Sequence, residues 1–275
     1  MHLVSIVIPC YNDYKFVEKA ILSAYNQTYS EKEIIVVDDG SNFKTKMKLK
    51  SLRNYINVLL VQDNKGQSAA RNFGIKKAKS GFIFVLDSDD FIEPTFIEKA
   101  MEFIVNPQVK IVTSLSKCFT KSREWYYLPK GGSLKNFLFG NAAMGSVMFK
   151  KKDWQLVNGY DEKMTQGWED WEFYIRLLKS GGICHVMEEC LFHYQKREGS
   201  TTSKANSHRG QLFSYIFIKH KEIYINNYSD LIKFLTTRID ELEQDKNKIL
   251  EKKELKIGKI LLSPFRSLRK IFQSK

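Results

Sequence analysis

Four short apolar runs, each ending in a polar cluster, constrain this chain more than any other feature. The run 3–8 stops at the cluster 9–12, and the run 33–37 stops at 38–41. The runs 57–61 and 82–86 stop in the same way at 63–66 and 87–90. Between them, apolar residues recur at a helical period, as Phe16, Val17, Ala20, Ile21 and Ala24 do. This spacing predicts helices over 14–25, 66–78 and 95–105, and a further strand over 109–114. Strands apolar on both faces, separated by amphipathic helices, imply an α/β fold with a mostly parallel, Rossmann-like sheet covered by helices. In such sheets ligands bind beyond the carboxyl ends of the strands, where all four polar clusters fall.

The stretch 118–194 is less regular. Gly131-Gly132 and the segment 141–145 mark loops, 147–150 a strand, and 168–179 a helix with Trp171, Tyr174, Ile175 and Leu178 on its apolar face. Beyond Ser203 the pattern turns helical. The expected organisation is a catalytic domain over 1–203 and a helical C-terminal region over 204–275. Leu231, Leu235, Ile239, Leu242 and Ile249 approximate a heptad seam, which fits a homodimer contact or packing within the same chain.

Asp87-Ser88-Asp89-Asp90 follows a strand directly. Carboxylates this close repel one another when buried, unless a cation sits between them. A hard ion, Mg²⁺ or Mn²⁺, suits oxygen ligands and substrate phosphates. The same residues also make a good solvated turn. Asp38-Asp39-Gly40 ends the neighbouring strand, and the segment 64–72 opens a helix with small residues and Arg71, an arrangement suited to phosphate. Part of that segment is equally explained by helix capping. Gly66 lacks the partner glycines of a dinucleotide fingerprint. Gly167-Trp168-Glu169-Asp170-Trp171 places two acids at a helix start, either as caps or as a base walled by aromatics.

Taken in order and spacing, Val4-Ser5-Ile6-Val7-Ile8-Pro9-Cys10-Tyr11-Asn12, Val36-Val37-Asp38-Asp39-Gly40-Ser41, the segment 66–72 and Leu86-Asp87-Ser88-Asp89-Asp90 resemble a family 2 glycosyltransferase of the GT-A fold. The resemblance covers residues 3–203. It implies a nucleotide-sugar donor held by Pro9, Tyr11, Asp39, Gly66, Arg71, Asp87 and Ser88, with Asp89 and the late His193 on a Mn²⁺ or Mg²⁺ ion. It implies that Asp170 deprotonates the acceptor hydroxyl, that Glu169 positions the acceptor, and that the anomeric carbon inverts. Gly145-Ser146 resembles the small-residue loop near the donor sugar. Lys196, Arg197, Ser200 and Thr201 lie on a loop suited to the diphosphate. Processive synthases of the family carry a Gln-x-x-Arg-Trp motif and membrane spans. Neither occurs here, so transfer of one sugar per encounter is expected. A sugar nucleotidyltransferase would need a Gly/Arg-rich loop after the first strand, where Pro9–Cys10–Tyr11–Asn12 stands. The intact acids argue against a non-catalytic assembly partner.

The formal charge of +13 is concentrated at the C-terminus, where residues 252–275 hold eight Lys/Arg against Glu254 alone. Phe265, Leu268, Ile271 and Phe272 follow Pro264 on one helical face. Such a segment suits peripheral contact with an anionic membrane and, through it, a glycan or lipid-linked glycan acceptor. No nucleic-acid motif accompanies the charge. Four cysteines without paired spacing point to reduced thiols rather than to a disulfide framework or zinc site. The apolar run 3–8 is too short for a signal peptide, and none approaches a membrane span. The expected location is the cytoplasm, at the inner face of a bacterial membrane.

Overall fold

The computed structural model describes residues 2–197, 205, 207–252 and 257. They fall within two compact units, Met1–Lys219 and His220–Lys275. In the first unit, strands β1 (Val4–Cys10), β2 (Lys32–Asp39), β3 (Val58–Gln62) and β4 (Phe82–Val85) pair in parallel in the order β3-β2-β1-β4. β1 is buried throughout, and every one of its side chains is apolar or small. Its register sets Cys10 opposite Asp38 and Val7 opposite Val85. The polar clusters at the ends of β1, β2 and β4 therefore meet at one edge of the sheet.

Beyond β4 the sheet becomes mixed. β5 (Phe91–Ile92), β6 (Val109–Phe119), β7 (Glu124–Tyr127), β8 (Met148–Lys150) and β9 (Ile183–Gln195) continue it, and nine strands join among the described residues. β8 runs antiparallel to both β4 and β6, while β6 and β9 are parallel with register shifts. β5 folds the chain just after Asp90 back onto β9, setting Phe91 opposite His193. β7 lies along β6.

Helices α1 (Val17–Tyr25), α2 (Phe43–Ser51), α3 (Gln67–Lys77) and α4 (Phe96–Ile104) follow the parallel strands. α5 (Leu134–Phe137), α6 (Lys151–Leu156), α7 (Glu169–Lys179) and α8 (Arg209–Lys219) complete the first unit. α1 and α4 bury the apolar faces read from the sequence, with Phe84 of β4 against Phe96 at a ring separation of 4.7 Å. α3 approaches the sheet closely. A Cβ on Gly74 would stand 2.5 Å from Val7 Cγ1 and 3.0 Å from Val37 Cγ2. Gly74→Ala should force α3 outward and lower stability by roughly 1–3 kcal/mol, read as a lower midpoint in urea unfolding with an unchanged slope.

The four cysteines are free, three of them buried. Burial pushes the Cys118 thiol up to about 11 and Cys10 and Cys184 to about 12, leaving them protonated and inert. The second unit contains α9 (Lys221–Asn226) and α10 (Tyr228–Glu251). Among the described residues no helix is long and apolar enough to cross a membrane. Ser200, Thr201 and nearly all of the basic C-terminal stretch lie outside the described residues.

Candidate active site

At the end of β2, Asp39 is buried and both of its oxygens are occupied by the chain itself. Oδ1 accepts from Gln62 Nε2 at 2.7 Å and from the Lys65 N–H at 2.9 Å, and Oδ2 from the Gly66 N–H at 2.9 Å. Gly66 has φ +90°, which lets the loop turn onto this carboxylate before α3 begins. Asp39 thus shapes the entrance to α3. Beside it, Asp38 accepts from the Ser41 N–H, and Ser41 Oγ from the Asn12 N–H, tying the ends of β1 and β2 together. Pro9 is buried within β1, whereas Tyr11, two residues on, is half exposed over the sheet edge.

Arg71 occupies the centre. It is 1% exposed and donates from Nη2 to Asp87 Oδ1 and from Nη1 to Glu169 Oε1, both at 2.7 Å. Its guanidinium carbon lies 5.2 Å from the Tyr160 ring centroid. The sequence expectation set Arg71 near the nucleotide. The structure turns it inward, where it joins the strand-end acid Asp87 to the first acid of α7. Gln67 Nε2 donates to the same Asp87 oxygen at 2.9 Å. The two flanking carboxylates hold the Arg71 guanidinium firmly charged despite its burial.

Asp170 follows Glu169 on α7. Its Oδ2 accepts from Asn141 Nδ2 at 2.8 Å and its Oδ1 from the Trp171 N–H at 2.7 Å. Burial, and secondarily the Glu169 charge, push its pKa up to about 7, partly offset by Arg71. That value suits a group that must take a proton near neutrality. Gly145 lies between the two halves of the site. A Cβ there would stand 3.5 Å from Asp87 Oδ2 and 3.6 Å from Asp170 Oδ2, so both carboxylates face one glycine. Ser146 Oγ accepts from the Asp87 N–H, and the Tyr174 hydroxyl holds the Met144 and Gly145 carbonyls. Trp171 is anchored through Nε1 on the Phe137 carbonyl and, with Trp168, packs against Phe213 of α8.

Asp89 sits on the other side of Asp87, paired with Arg197 Nη2 at 2.6 Å. Arg197 Nη1 also meets Asp13 Oδ1 at 2.8 Å, and Ser88 Oγ donates to Asp13 Oδ2 at 2.6 Å. Burial pushes Asp89 up to about 6, with Arg197 opposing and the Asp87 and Asp13 charges adding to the rise. Asp90 is raised further, chiefly by burial. His193 is held by Glu93, with Nε2 and Oε1 2.6 Å apart, and stacks on Phe91 at 4.2 Å. Among the described residues no group of three or more His, Cys, Asp or Glu side chains stands ready to hold a metal.

The structure therefore brings Arg71, Asp87, Glu169 and Asp170 around Gly145, and Asp13, Ser88, Asp89 and Arg197 into an adjacent ionic cluster. Asp13, Gln67 and Asn141 were not singled out from the sequence. Asp13 directly follows the first strand-end cluster, and Asn141 opens a loop legible as such, so position alone was their signal.

Residues 5–158 match the family model described as glycosyl transferase family 2, and residues 137–197 match one described as the N-terminal domain of galactosyltransferase. Chondroitin synthase of Escherichia coli is 26% identical over 240 residues, covering 82% of this chain and 34% of that protein. An uncharacterized glycosyltransferase of Haemophilus influenzae is 26% identical over 251 residues, covering 81% of this chain and 90% of its own length. The chain thus spans about a third of the first relative and nine-tenths of the second. In fold it is similar to residues 1–349 of Staphylococcus aureus TarS, crystallised with UDP-GlcNAc, at a TM-score of 0.61 and 22% identity. That similarity covers 73% of this chain and 60% of the TarS chain.

Proposed function

This chain belongs to glycosyl transferase family 2, and from that premise we propose that it moves one sugar from a nucleotide-diphosphate sugar to an acceptor hydroxyl with inversion. One observation carries the reading: Asp87 and Asp170 face the same glycine, while Arg71 bridges Asp87 to the residue before Asp170. The donor lies over the ends of β1, β2 and β4, with Tyr11 exposed to its base and Asp87 to its ribose. Asp39 acts through the loop that it organises before α3. Asp170 takes the acceptor proton on one face of the sugar as the nucleoside diphosphate leaves from the other. Glu169 is held in place by Arg71 and fixes the start of α7, with Trp168 and Trp171 excluding water beside it.

The residues around Asp89 suit a hard divalent ion. Asp89 and Asp87 are both oxygen donors; burial raises the pKa of Asp89, and the Asp87 and Asp13 charges add a repulsion that a cation would relieve. With few protein ligands, Mn²⁺ or Mg²⁺ would share them with the donor phosphates, and His193 would need to leave Glu93 to take part. When bound, the ion supplies neutralisation of the departing diphosphate. Arg197, already beside Asp89 and Asp13, contributes a second positive charge on that side.

A UDP-sugar is the first donor to test. The acceptor is a glycan or lipid-linked glycan, a reading supported by the basic, aromatic C-terminal sequence and its suitability for an anionic inner-membrane face. Calorimetric titration with a panel of nucleotide-diphosphate sugars, with and without Mn²⁺, tests the core of the proposal. Binding should strengthen with Mn²⁺, and Asp89→Asn should weaken it at least about tenfold, a loss of roughly 1.4 kcal/mol. Undiminished donor affinity in a folded Asp89→Asn protein would remove Asp89 from the donor site.

A further inference from the structure

Helix α10 runs for 24 residues, about 36 Å, without a single buried side chain. Its half-buried residues, Leu231, Phe234 and Arg238, occupy one line. A separate stripe is more exposed. Ile232, Leu235, Ile239, Leu242 and Ile249 recur at alternating steps of three and four, interrupted only by Lys246, and the five apolar members are 40–56% exposed. Ile232 replaces Leu231 in this seam. One residue along a helix is a rotation of about 100°, and it moves Leu231 off the exposed line.

We propose that this stripe is the seam of a parallel, in-register two-stranded coiled coil formed with a second copy of the chain. The residue types carry the choice. Ile232 and Ile239 fall at a positions and Leu235 and Leu242 at d positions, the distribution that favours two parallel strands. Lys246 falls at the next a position, where one polar residue fixes register and strand number. A parallel register also makes the flanking charges complementary. In register, Lys246 packs beside Asp245 of the second copy, and Arg238 at a g position reaches Glu243 at the following e position. In their own helix Asp245 and Arg238 make only local pairs, with Lys248 at 3.7 Å and Glu241 at 2.6 Å. Neither local pair blocks the seam. An exposed apolar stripe of this length is also more than a solitary helix ordinarily leaves in water.

The 275-residue chain should sediment at about twice 32.1 kDa in the tens of micromolar range. Ile239→Asp with Leu242→Asp should sediment at the monomer mass while keeping its circular dichroism, since both side chains are more than half exposed. Leu242→Cys should cross-link to a covalent dimer under mild oxidation, because d positions face each other only in a parallel register. Wild type, whose own cysteines are mostly buried, should not. A monomeric wild type, a dimer that survives the double Asp substitution, a trimer, or no cross-link from Leu242→Cys would each overturn the proposal. Monomers that instead gather on anionic vesicles through this helix would overturn it as well, assigning the stripe to lipid.

Discussion

Asp170→Asn is expected to lower the transfer rate by about 10²–10⁴-fold while leaving the fold intact and donor affinity at the value wild type shows with Asp170 protonated. The amide oxygen still accepts from the Trp171 N–H, so α7 keeps its first turn. The lost property is the capacity to take a proton, which the buried setting of Asp170 holds at a pKa of about 7. In the wild type kcat/KM should accordingly fall on the acid side of about pH 7. Stability gives an independent reading of the same group. Its folded pKa lies above the ordinary carboxylate value of 3.8, so the folded protein binds the proton more tightly than the unfolded chain. Its contribution is therefore fully present below pH 3.8, declines as pH rises towards about 7, and stays low above that. Asp170→Asn removes that decline. A near wild-type rate in a folded variant would strip Asp170 of its role.

Arg71→Met carries the second large effect. It leaves Asp87 and Glu169 without their shared cation, and breaking such a buried arrangement costs roughly 3–5 kcal/mol. The variant should melt well below wild type. What remains folded should show the acid limb of kcat/KM displaced to higher pH, because Arg71 is the positive charge that holds Asp170 down. Arg71→Lys should recover only part of either property, since one ammonium cannot present two donors to two carboxylates in the fixed geometry of a guanidinium. An unchanged melting point together with an unchanged pH limb would show that the bridge does neither job.

The strand-end clusters were legible because period and composition changed together: apolar, β-branched runs gave way to Asp, Asn and Gly at each strand end. α2 was not, because its lysine-rich sequence buries only Thr45 and Leu49 and leaves almost no apolar period. The antiparallel entry of β8 was equally hidden. Its three residues, Met148, Phe149 and Lys150, do not encode direction, and pairing with β4 and β6 decides it. Arg71 shows the limit most clearly. A cation near a helix start suggests phosphate, but its orientation depends on how closely Gly74 lets α3 approach the sheet and on Glu169, 98 residues away. His193 was similarly assigned by its place in the chain, whereas its immediate partners, Glu93 and Phe91, arrive through the short β5.

The guanidinium shared by Asp87 and Glu169 couples two equilibria that occupy different halves of the site. In the proposed site, donor bound at Asp87 would alter the field around the shared cation and Asp170, and the proton on Asp170 would alter the field at Asp87. Such an influence is reciprocal: the factor by which bound donor changes the acidity of the base is the factor by which protonating the base changes donor affinity. Donor affinity should therefore drift across the neutral range even where no donor phosphate titrates. A binding isotherm collected at several pH values then reads out the readiness of the acceptor side before any acceptor has arrived.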